Sequence, residues 1–77
     1  MEFLEKVADG LAKEALDIEE ITGDEDLINH VMKTIGASST TLEEAFLTAV
    51  RIRRAETRAL KLLAAKKAEH AEKSTPD

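Results

Sequence analysis

The densest group of chemically capable side chains in this sequence is "GDEDLIN", residues 23–29, where Asp24, Glu25 and Asp26 stand side by side. Alternate carboxylates can ligate calcium, but such a loop also needs a central glycine and a glutamate at its twelfth position. Neither is present at the required offset, and helix capping accounts for the cluster. The pairs Glu19/Glu20 and Glu43/Glu44 could supply an acid and a base. Neighbours on a helix project about 100° apart, however, so they cannot converge as a dyad. His30 and His70 lie on separate segments without metal-motif spacing, and Asp26, four residues before His30, reads as a surface pair. Ser38 and Ser39 have no evident base or oxyanion hole, and turn or capping roles suffice for them. These residues predict no catalytic site, no metal and no cofactor, hence a non-enzymatic protein.

A second stretch with functional potential is "TIGASSTTLEEAF", residues 34–46. A phosphate cradle needs several glycines and a lysine opening the next helix, whereas this stretch has one glycine followed by acids. "VMKTIGASSTTLEEAF" resembles the helix-turn-helix of DNA-reading proteins. Val31 and Ile35 precede Gly36, Ser38 follows at the usual offset, and Leu42 and Ala45 fall where the second helix packs back. That resemblance covers about 20 residues on common residue types, and it implies a small DNA-binding regulator built on residues 27–50. Two positions depart from it. Met32 stands where a small residue allows close helix crossing, and Glu43 with Glu44 would face bases and phosphates. The favoured reading is therefore a junction. Gly36 ends one helix as a left-handed cap, and Thr40 with Glu43, or Thr41 with Glu44, opens the next as a capping box.

The elements around that junction follow from periodicity. Leu4, Val7, Leu11, Ala15, Ile18 and Ile21 recur every three or four residues, which predicts an amphipathic helix of about 20 residues, weakened at Gly10. Gly23 suits a left-handed C-cap and Asp24 an N-cap, with Glu25 and Asp26 in the first turn of a short second helix. Leu27, Ile28, Val31, Met32 and Ile35 form one face of it. Nothing then breaks a third helix from Leu42 to about Lys73, some 45 Å long, whose apolar face comprises Leu42, Ala45, Phe46, Ala49, Ile52, Ala59, Leu60 and Leu63. The expected fold is all-α, with two short helices followed by one long helix in a three-helix or hairpin arrangement completed by dimerisation. Residues 1–73 form one domain in this reading, and 74–77 a disordered tail containing Pro76.

Composition limits the class of protein. Seventy-seven residues bury a modest core, and without cysteine neither disulfides nor thiolate metal sites can reinforce it. No apolar run reaches the length of a membrane span, and "MEFLEKVADG" is acidic where a signal peptide is basic, so a soluble, cytoplasmic protein is expected. The formal net charge is −5. Residues 1–36 hold ten acidic and three basic side chains, against six and eight in residues 37–77. Arg51, Arg54, Arg58 and Lys61 form a stripe on the third helix, either solvated, turned toward the acidic first helix, or serving as a basic partner surface.

Glu56 interrupts the apolar face of the third helix, with Arg53 one turn before it. A carboxylate in that position is either solvated beyond the core or answered by a partner. An antiparallel pairing of two long helices sets Arg53 opposite Glu56 of a second copy, twice by symmetry. The sequence thus predicts an interaction or assembly module that self-associates through Leu42, Phe46, Ala49, Ile52, Arg53, Glu56, Ala59, Leu60 and Leu63. Its expected partners are a second copy or another protein, with nucleic acid disfavoured and no membrane.

Overall fold

The computed structural model describes residues 2–74, and these form three helices, α1 (Glu2–Thr22), α2 (Leu27–Gly36) and α3 (Thr40–Ser74). The tail expected around Pro76 lies outside the described residues. Among the described residues there is no strand, and no helix is long and apolar enough to cross a membrane.

The joints between helices depend on small polar residues. Gly23 adopts a left-handed φ of 72°, and its N–H donates to the Glu19 carbonyl at 2.7 Å, closing α1 as the sequence implied. Asp24 then accepts the Asp26 N–H on Oδ1 at 3.0 Å. This turn precedes the helix, so Glu25 and Asp26 lie before its first residue, Leu27, rather than inside its first turn.

The second joint differs from expectation twice. Gly36 is the last helical residue of α2 and its φ is not positive, so it is no left-handed cap. What recommends glycine there is proximity, since a β-carbon would run into the carboxylate of Glu43. That carboxylate is the free end of a flexible side chain and can move aside. The cap of α3 is Ser39, whose Oγ accepts the Leu42 N–H at 3.1 Å while its carbonyl accepts the Glu43 N–H. Thr40 and Thr41 already lie within the helix, so neither forms the expected capping box.

Shared grooves establish the direction of packing. Phe3, Leu4 and Val7 of α1 line one groove with Thr41 and Leu42 of α3, while Glu19 and Glu20 line another with Arg58 and Lys61. α1 and α3 are therefore parallel, and α2 carries the chain back between the end of one and the start of the other. The core consists of Ala12 and Ala15 from α1, Ile28 from α2, and Phe46 and Val50 from α3, with Leu11, Leu16, Val31, Met32, Ile35 and Ala49 around it. Alanines on α1 permit close approach, and Phe46 and Val50, both fully buried, fill the space. The result is thin, measuring 62 × 30 × 13 Å along its principal axes.

Two glycines should respond oppositely to alanine. Gly10 lies in an unbroken helix with open space at its β-position, so Gly10→Ala should stabilise the fold by up to about 1 kcal/mol. Gly23→Ala should cost about 1 kcal/mol at its left-handed φ. Loss of the Ser39 cap through Ser39→Ala should cost about 1 kcal/mol, whereas the double change of Thr40 and Thr41 to alanine should be nearly silent. Urea titrations of the four variants would separate these outcomes.

Candidate interaction surface

The sequence treats the apolar residues of α3 as one face, and the structure divides them into two. Phe46 is completely buried within the monomer, and Leu42 and Ala49 are half-buried beside it. Phe46 is thus unavailable to a second copy, contrary to its place in the expected self-association surface. Val50, absent from that expected face, is equally buried. Ile52, Leu60 and Leu63 stay exposed at 63, 58 and 62%, and Leu62 joins them at 58%. At about 100° per residue, Ala45, Ile52, Ala59 and Leu63 share a stripe turned about 100° or more from Phe46 and Val50. α3 therefore has one face spent on the fold and another left in solvent.

The length of α3 exposes it further. Its 35 residues outrun the 21 of α1, and the groove that ends at Lys61 is the last contact with the C-terminal turn of α1. Beyond it about 20 Å of helix projects alone. The stretch that spans the end of this contact and the base of the projection is "RALKLLAAKK", residues 58–67, with four basic side chains and no acid.

Between α1 and α3, near their N-terminal ends, runs an open groove of about 400 Å³. Leu4, Ala8, Ala45, Ala49 and Ile52 make its apolar lining, and Glu5 and Asp9 lie on its acidic side. The alanines that bring the helices together also keep this groove shallow enough to remain open.

Arg53 has a different partner from the one its spacing suggested. Its Nε and Nη2 donate to the two carboxylate oxygens of Asp9 at 2.6 and 2.8 Å, tying α3 to α1 across 44 residues of sequence. Glu56 is exposed, and Arg53 is committed within its own chain rather than awaiting Glu56 of a second copy. The fork geometry matches a carboxylate in a way lysine could not. These hydrogen bonds hold the Asp9 carboxyl below its ordinary range and raise Arg53, partial desolvation opposing both shifts.

The basic stripe has two environments. Arg54 donates to Glu19 at 3.1 Å, and Arg58 and Lys61 line the same groove beside Leu16, Glu19 and Glu20, so this part of the stripe turns toward acidic α1. Arg51 is exposed. Glu43, at the point where a recognition helix would read bases, is half-buried near Gly36, and Glu44 is exposed beside it.

Asp9 makes the α1–α3 tie acid-sensitive. Its folded value lies below the unfolded value of about 3.9, so the stabilisation is complete above that pH and is lost as pH falls through the lower folded value. Asp9→Asn should lower the Tm at neutral pH, and the gap from the unsubstituted chain should close between about pH 5 and about pH 2. A gap independent of pH in thermal melts would remove the ion pair from the account. Comparison with protein-family models, with curated proteins and with solved structures gave no match to this chain.

Proposed function

We propose that this protein is a non-enzymatic interaction and assembly module that associates with a second copy of itself through α3. The observation that carries the proposal is the end of α3, where Leu60 stands in solvent level with the last turn of α1 and Leu62 and Leu63 stand in solvent past the groove that ends at Lys61. A lone helix of that kind gains little from its own propensity in water, and most helical stability in proteins comes from burying an apolar face. Exposed apolar side chains clustered on one element are also a mark of a protein-binding surface. The thin three-helix layer adds to this. Its small core gives modest stability, and association would supplement it.

The helix-turn-helix resemblance supports a DNA-binding regulator less well. Glu43 and Glu44 open the second helix of that unit with negative charge, Arg54 is already paired with Glu19, and the chain carries a net charge of −5. A duplex-binding surface would have to be assembled from Arg51 and the bases at the end of α3.

Sedimentation equilibrium from about 1 to about 100 μM should show a monomer–dimer equilibrium, with Tm rising with concentration. A monomer across that range with constant Tm would overturn self-association. In a parallel assay, random-sequence duplex at about 20 mM salt should not be bound. Binding that weakens steeply as salt rises would instead favour the DNA-binding reading.

A further inference from the structure

Building on self-association, we infer that residues 58–67 of one copy dock in the α1–α3 groove of a second, and the reverse, in an antiparallel dimer of α3 helices. Three features of the molecule support this geometry. The groove is apolar on a floor of alanines, so side chains of leucine size can enter it. Leu60, at the end of the contact with α1, and Leu63, just past it, are exposed large apolar side chains near the stripe running through Ala45 and Ile52.

The second feature is charge. Glu5 and Asp9 line the α1 side of the groove, Asp9 held by Arg53, Glu2 precedes them in a 3.7 Å pair with Lys6, and Glu44 is exposed near the start of α3. Of the basic side chains in "RALKLLAAKK", Arg58 and Lys61 border acidic α1 of their own chain, and Lys66, 3.5 Å from Glu69, and Lys67 are the ones placed to meet a second copy. Laying Leu60 over Ala49 and Leu63 over Ala45 brings Lys66 and Lys67 toward Glu2 and Glu5. Opposite charges at the rim then favour the encounter and its direction.

Symmetry supplies the third feature. A closed dimer uses the same patch on both copies, so a groove filled by the partner requires that the partner's groove be filled in return. Two α3 helices lying side by side satisfy this only when antiparallel. A parallel, in-register pair would place groove against groove and bring "RALKLLAAKK" against itself, basic upon basic. This register also sets Glu56 of each copy level with Arg53 of the other, while the Arg53–Asp9 tie stays within each monomer.

The test uses the full-length chain and measures oligomeric state. Leu60→Ala with Leu63→Ala keeps helix propensity and touches nothing in the monomer core, so helical content by circular dichroism should persist. Dimer dissociation should rise by about tenfold or more. Charge reversal gives a second measurement. A chain with Lys66→Glu and Lys67→Glu, and another with Glu2→Lys and Glu5→Lys, should each be monomeric alone, and mixing them should restore a heterodimer in which both docking contacts are complementary. Because the chain has no cysteine, an Ala45→Cys chain mixed with a Leu63→Cys chain should form the mixed disulfide. Preferential linkage of Leu63→Cys to itself would show a parallel pair and overturn the proposal. An unsubstituted chain that dimerises while the Leu60/Leu63 double variant dimerises equally well would overturn the docking but leave self-association standing. A monomeric unsubstituted chain would end both, leaving the groove to a different protein.

Discussion

The close contact between α1 and α3 is the constraint on which the rest of the molecule depends. Ala8, Ala12 and Ala15 present almost no side chain, which lets the backbone of α1 approach α3 while Phe46 and Val50 take up the remaining volume. At that separation the Arg53 guanidinium reaches Asp9 with both arms of its fork. A larger residue at the alanine positions would push the helices apart and lose the packing and the ion pair together. Ile28 of α2 completes the core from the side, so the shortest helix closes what the two longer ones leave open.

Parallel packing of α1 and α3 has topological consequences. The chain must travel back before α3 can start, and the ten residues of α2 do so with tight joints at each end. Gly23 and Asp24 form the first joint and Ser39 the second, each by satisfying backbone groups that a helix end leaves unpaired. Because α1 and α3 start at the same level but differ in length, the surplus must project. The projection of α3 is therefore a direct result of the helix lengths and their common direction.

Electrostatics follows the same axis. α1 carries most of the acidic side chains that meet α3, and α3 answers with Arg53 and Arg54 through the packed region. Past the end of α1 the basic side chains continue without acids of α1 alongside. A single matching of charges thus orders the monomer along its packed length and leaves an excess of positive charge at the base of the projection. The acidic side of the α1–α3 groove lies at the opposite end of the packed region. Charge and apolar surface are therefore segregated along the molecule as well as around its helices.

By itself the sequence determined the number and order of the helices, the uninterrupted length of α3 and the role of Gly23, because periodicity, propensity and turn chemistry are local properties of the chain. Local pattern was less informative where neighbouring residues compete for one role. Ser39, Thr40 and Thr41 are all competent caps, and only the path of the backbone selects Ser39. Gly36 looks like a left-handed cap and instead ends α2 in helical geometry beside Glu43. The broad apolar stripe of α3 could not reveal that Phe46 and Val50 turn inward while Ile52 and Leu63 turn out, since the direction of the core depends on where α1 lies. Arg53 had a sequence neighbour of opposite charge in Glu56, but tertiary structure gave it Asp9, 44 residues away. Helices form from interactions within a few residues, whereas the faces they bury and the partners their charges choose are fixed only when distant segments meet.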